Sequence, residues 1–177
     1  MAFDEGAGRP TVRGGTLQYT GATASTDRNF TINASTIDNT SGASLTTYRY
    51  GNVWNGSFTF TGTDDLWLST GGGITMPNDI TVTTPGYVFS GGPIVLNGDS
   101  PTFNISGGST CNIESIVAGA SGLVKTGPST LQLRATNRYQ GDTRVLQGNL
   151  LIGAGNNRLP VTTRLILGDG TNSGVFQ

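Results

Sequence analysis

Asp64 and Asp65 form the acidic pair in this chain most suggestive of chemistry. Glycoside hydrolysis needs two carboxyl groups about 5 to 9.5 Å apart across the scissile bond. Neighbouring residues of one strand point to opposite faces, so this pair needs a further carboxylate from an adjacent segment. The supporting His and Lys or Arg constellation is missing nearby. Histidine is absent from the whole chain, which removes the commonest general base and metal ligand together. The pair therefore reads as a turn before Leu66-Trp67-Leu68. Gly168-Asp169-Gly170-Thr171 resembles a calcium loop, but the regular Gly/Asp recurrence of calcium-binding nonapeptides is not present, and a plain turn fits better. Thr59/Thr61, Thr61/Thr63 and Thr81/Thr83 would suit an ice-binding face if such pairs recurred at a fixed spacing. They do not recur at that spacing along the sequence. No catalytic, cofactor-binding or metal-binding residue is assigned.

A different chemistry is offered by Tyr48, Tyr50, Trp54, Phe58, Phe60 and Trp67, with Arg49 among them. Aromatic faces with few charges suit sugar rings or protein contacts. Two readings stand: a binding surface carried by Tyr48, Tyr50, Trp54 and Trp67, with glycans as a partner class, or a widened rung whose aromatics cover the core.

The elements that must position these residues are short strands. The 177 residues hold 28 Gly, and only 12% are charged. That is about half the charge of an ordinary globular domain, and it suits stacked strands, where charge ladders repel. Net charge is −1, so nothing electrostatic supports nucleic-acid binding. The single cysteine, Cys111, is expected to be a buried thiol. No apolar run is long enough to span a bilayer as a helix, and residues 1–10 lack the pattern of a signal peptide.

No window shows convincing helical spacing. Alternating apolar pairs recur instead, among them Leu17/Tyr19, Phe30/Ile32, Phe58/Phe60, Ile80/Val82, Phe103/Ile105, Leu131/Leu133, Leu150/Ile152 and Leu165/Leu167. Each puts two side chains on one face. Gly-Gly, Asn-Gly, Gly-Asp and Pro-Gly steps punctuate them. Such short strands, with frequent Asn and Thr, favour a solenoid over a sandwich or barrel. A rung of three strands takes roughly 20 to 25 residues, so roughly seven to eight rungs are expected. Gly8, Val12, Gly15 and Leu17 share their spacing with Gly141, Val145, Gly148 and Leu150. This predicts a tail of one unit at residues 1–20, divergent rungs at 21–119, a repeat motif at 120–153 and the start of another unit at 154–177. It also predicts neighbouring repeats or identical chains as partners through end-to-end stacking, unless residues 1–10 fold as a cap.

The most distinctive stretch is GLVKTGPSTLQLRATNRYQGDTRVLQGNLLIG, from Gly122 to Gly153. Its Gly122, Leu123, Lys125, Gly127, Thr130, Leu131, Leu133, Asn137, Tyr139, Gly141, Thr143, Val145, Gly148 and Leu150 resemble the passenger-associated transport repeat, also called the autotransporter-associated β-strand repeat. Ser121, Ser129 and Ala135 stand where the family pattern commonly has Gly. The resemblance implies a right-handed parallel β-helix in a secreted or surface-displayed bacterial protein, where such repeats form non-enzymatic stalk segments. It places the chain outside the cell or at the bacterial surface. From the residues themselves, Leu131/Leu133 and Leu150/Ile152 should point inward. Gly127, Gly141 and Gly148 should turn corners, and Asn137 should bond backbone groups. Tyr139 should cover the core edge. Lys125, the sole lysine, should be a solvated strand-edge charge or a surface contact.

Overall fold

The computed structural model describes residues 11–22, 24–26, 31–43, 45–47, 53–55, 57–63, 66–70, 74–76, 80–83, 87–108 and 110–177. These form an all-β parallel solenoid, and no helix occurs among them. The strand order within each sheet advances by three except at the last step of the second and third faces, where it advances by two, so the chain visits three faces in turn and stacks on itself.

The first face carries Thr11–Arg13, Thr31–Asn33 and Val53–Asn55 in one sheet, then Ile74–Met76, Ile94–Leu96, Val117–Gly119 and Arg138–Tyr139 in a second. Val53–Asn55 lies beside Ile74–Met76, so the two sheets continue one another. The second face stacks Thr16–Tyr19, Thr36–Asn39, Phe58–Gly62, Ile80–Val82, Thr102–Ile105, Leu123–Thr126, Thr143–Val145 and Leu165–Leu167. The third stacks Ala24–Thr26, Leu45–Thr47, Leu66–Thr70, Tyr87–Gly91, Thr110–Ile113, Thr130–Leu133, Gly148–Ile152 and Gly174–Phe176.

All strand pairs are parallel and in register, which lines like side chains up in columns. On the second face, Leu17, Ile37, Phe60 and Val82 follow one another inward. On the third, Cys111, Leu131, Leu150 and Phe176 do the same. The bore is filled by apolar side chains: Phe60, Ile80, Phe103, Leu131 and Leu133 are all fully buried. Phe60 reaches across it to Tyr87 and Phe89, at ring-centroid distances of 5.4 and 5.8 Å. Edge-on and tilted contacts of this kind add to plain area burial. Ile152, expected inward, is only half-buried, because Leu133 covers it from one side while the stack thins on the other.

The threonine pairs do not stack as pairs, since Thr61 stands opposite Asp38, but single threonines form a column: Thr16, Thr36, Thr59 and Thr81 stand opposite one another on the second face, with Asn104 and Thr126 next. The steps between them are uneven, so no fixed period exposes the column in the sequence. The Gly8–Leu17 recurrence, in contrast, does not mark equivalent places. Val12 lies on the first face and Val145 on the second; Leu17 lies on the second and Leu150 on the third. The shared spacing is that of any strand–corner–strand step. Phe30 and Gly8 lie outside the described residues.

Candidate functional site

The aromatic candidates fall only partly within the described residues. Tyr48, Arg49 and Tyr50 lie outside the described residues, as do Asp64 and Asp65. Trp54 belongs to a first-face strand and Trp67 to a third-face strand. Phe58 and Phe60 are core residues, buried to 2% and 0% exposure. They fill the bore and present nothing to a ligand.

The residues of the Gly122–Gly153 stretch do come together. Strand parity carries Leu123 inward, Val124 outward and Lys125 inward again. Lys125 therefore takes an inward position opposite Phe103 on one side and Val145 on the other. It is completely buried. Both surface readings of this lysine are thus corrected. Its Nζ donates to the carbonyl oxygens of Thr126, Gly127 and Gln147 at 2.6, 2.7 and 3.1 Å. Three acceptors match the three hydrogens of an ammonium; a neutral amine carries only two. Burial pushes the amine down to about 8, opposed by the Cys111 thiol nearby. The group thus stays charged at neutral pH. Cys111 is buried as expected, and burial pushes its thiol up to about 12.

Asn137 behaves as its residue type predicts. It is buried, and its Oδ1 accepts from the Val117 amide at 2.8 Å. Its Nδ2 donates to the Arg158 carbonyl at 2.6 Å. One side chain therefore ties its own turn to the rung before and the segment after. Tyr139 lies deeper than a core-edge cover, at 1% exposure. Its hydroxyl meets Thr143 Oγ1 at 2.6 Å, and Thr143 Oγ1 meets Thr163 Oγ1 at 2.9 Å. Thr163 donates to the Gly141 carbonyl at 2.8 Å. Each hydroxyl has one hydrogen, so the chain has one direction: Tyr139 to Thr143 to Thr163 to Gly141. Burial pushes the Tyr139 hydroxyl up to about 12. Thr163 and Arg158 close these networks and were missed from sequence, because both lie past the motif in a segment with no alternation.

Gly127 and Gly148 turn corners at φ +78° and +71°. Gly141 is needed for a different reason, close approach: a Cβ there would collide with the Gly122 backbone one rung away. Leu131, Leu133, Val145 and Leu150 are fully buried, while Thr130 lies partly outward and receives Asn149 Nδ2 at 3.4 Å.

On the surface, Asp142 binds Arg164 at 2.8 Å and Arg144 at 3.6 Å. The Arg164 hydrogen bond, more than any other contact, holds its carboxyl below the usual range. Asp169 is the turn expected of it: it accepts from the amides of Thr171 and Asn172, and from Asn172 Nδ2. Those bonds, Asn172's first, hold its carboxyl down at about 2. Among the described residues, no three His, Cys, Asp or Glu side chains are grouped to hold a metal ion. Nor is any helix among them long and apolar enough to cross a membrane.

The arrangement is one of cross-rung ties, not convergent reactive groups. A comparison with known proteins agrees in kind. The chain is 34% identical over 94 residues to the adhesin BmaC autotransporter of Brucella suis biovar 1 (strain 1330). Half of this solenoid is homologous to part of an autotransporter adhesin. The match covers 50% of the chain but only 3% of that adhesin. No family model matches the chain, and no solved structure matches it.

Proposed function

We propose that residues 1–177 are a single non-enzymatic structural segment of a secreted or surface-displayed bacterial protein. The segment extends a β-helical passenger, assists its folding during export, and stacks end to end with neighbouring repeats or with copies of itself. The observation that carries this reading is the in-register parallel stacking on every face around one continuous apolar bore. The similarity to an autotransporter adhesin supports the extracellular placement. The finer geometry belongs to the same proposal: a right-handed coil of roughly seven to eight rungs, supported by the eight-stranded second and third faces.

Display on a bacterial surface tests it. The segment is placed between an outer-membrane barrel and a reporter, and compared with a variant whose bore is broken by Leu131→Asp and Leu133→Asp. The intact segment should raise the amount of reporter outside the cell. Equal display with the broken segment would reject the folding role. For stacking, sedimentation and electron microscopy of the purified chain should reveal linear oligomers. A monomer at every concentration would reject self-association.

The relative's name favours a second reading, a surface-binding adhesin module. Its aromatic candidates are Tyr48, Tyr50, Trp54 and Trp67. Loss of binding to a glycan array in Trp54→Ala is its test, and the absence of any wild-type glycan binding would sink it for glycans.

A further inference from the structure

Corners between the first and second faces are not all alike. Residues 97–101 make a five-residue turn from Leu96 to Thr102, whereas residues 120–122 and 140–142 make three-residue turns in the next two rungs. Beside the longer turn an open cleft of about 370 Å³ runs across these three rungs. That size falls at the lower end of the roughly 300–1,000 Å³ of small-molecule sites. Stacked strands are about 4.8 Å apart, so three rungs give a length of about 9.5 Å.

The walls differ in charge. Asp99 stands exposed on one side, with no hydrogen-bond or ionic partner among the described residues. On the other side Asp142 is engaged by Arg164 and Arg144, of which Arg144 lines the cleft. The lining also includes Val124 and the side-chain-free Gly122 and Gly141. The four charges sum to zero but are spread apart. A free anion meets the Asp99 carboxylate, and a free cation meets the guanidinium groups. A neutral ligand with many hydroxyls meets acceptors on one side, donors on the other, and the small or apolar Gly122, Val124 and Gly141 for its C–H face.

We infer that this cleft binds a short neutral saccharide, about a disaccharide in length. Asp99 accepts from ring hydroxyls, and Arg144 donates to ring or glycosidic oxygens. Neither residue is part of the core or of the cross-rung ties, so the site is independent of the structural role and of the Tyr48–Trp67 region. Failure here leaves that structural role standing, because surface display tests it separately.

Amide-resolved NMR titration of the full chain provides the test. The probes are cellobiose, maltose, lactose and N,N′-diacetylchitobiose, with digalacturonate and calcium chloride as charged controls. At least one neutral disaccharide should move the amides of residues 98–100, 102, 120–124 and 141–144, with a millimolar dissociation constant. Asp99→Asn and Arg144→Ala should each weaken that binding tenfold or more without changing the melting temperature. Trp54→Ala should leave it unchanged. No shift with any neutral probe, preferential binding of digalacturonate or calcium, or equal binding by both cleft variants would each overturn the inference.

Discussion

Replacing Asn137 by Ala removes a side chain that bonds two neighbouring levels of the stack at once. Its Oδ1 partner, the Val117 amide, belongs to a residue with no exposure, so water does not replace the lost acceptor. An orphaned buried donor costs about 1–3 kcal/mol, and an ordinary lost hydrogen bond about 0.5–1.5 kcal/mol. The second figure applies to the Arg158 carbonyl, which is only partly buried. The sum is about 3 kcal/mol, which corresponds to roughly a hundredfold change in an equilibrium constant. Hydrogen exchange is the right assay, because a stacked array need not unfold in one step. Protection of the Val117 amide should fall by about two orders of magnitude in Asn137→Ala. Asn137→Asp should be worse at neutral pH, since a carboxylate would face the Arg158 carbonyl with no hydrogen to give. It should recover towards the alanine variant, or beyond it, in acid, when the carboxyl gains a proton. Unchanged Val117 protection in the alanine variant, or an aspartate variant indifferent to acid, would refute the bridging account.

Gly148→Ala combines a left-handed φ of +71° with a collision against the Gly127 carbonyl, so it should cost at least about 2 kcal/mol in chemical denaturation. Leu133→Ala empties part of the bore and should cost about 2–5 kcal/mol in the same assay. Lys125 gives a pH signature. Its folded value of about 8 lies below the ordinary 10.5, so between these two the unfolded chain binds more protons. From this group, stability should rise with pH across that window, and Lys125→Met should lose that rise when denaturation midpoints are compared. Cys111 should resist a thiol reagent in the native state and react once denaturant is added, because its thiol is both buried and held at about 12.

Much of the fold was legible because its code is local. Two-residue alternation in Phe58/Phe60, Leu131/Leu133 and Phe103/Ile105 fixes inward and outward faces without knowledge of neighbours. Asn137 and Gly148 were readable for the same reason: their chemistry answers to the turn they sit in. Lys125 was not, although the signal was present. Parity with Leu123 points it inward, but a charge in the bore contradicts the general cost of burial. Three carbonyls at a corner resolve the conflict, and no sequence pattern announces carbonyls. The similarity between Gly8–Leu17 and Gly141–Leu150 misled for the opposite reason. A strand–corner–strand step looks alike on every face, so spacing alone does not say which face is meant. Within the aromatic run, Phe58 and Phe60 follow the same parity rule into the core, as the core-covering reading of that run expects. The charged cleft depends on one turn being two residues longer than the turns below it, a difference with no signature of its own in composition.

The register of the second face has a consequence for how such a chain can be made. Each strand finds its partner 20 to 23 residues earlier, as in Thr16 with Thr36 and Thr36 with Thr59. None of these described strand pairs has to wait for a distant part of the chain. A polypeptide delivered one end first can add a level as soon as about two dozen residues arrive, and each new level is templated by the edge already laid down. Growth then resembles the advance of a crystal face more than the collapse of a globule. Every level added makes backward slippage costlier, so folding on one side of a barrier acts as a one-way pawl on the strand still passing through it.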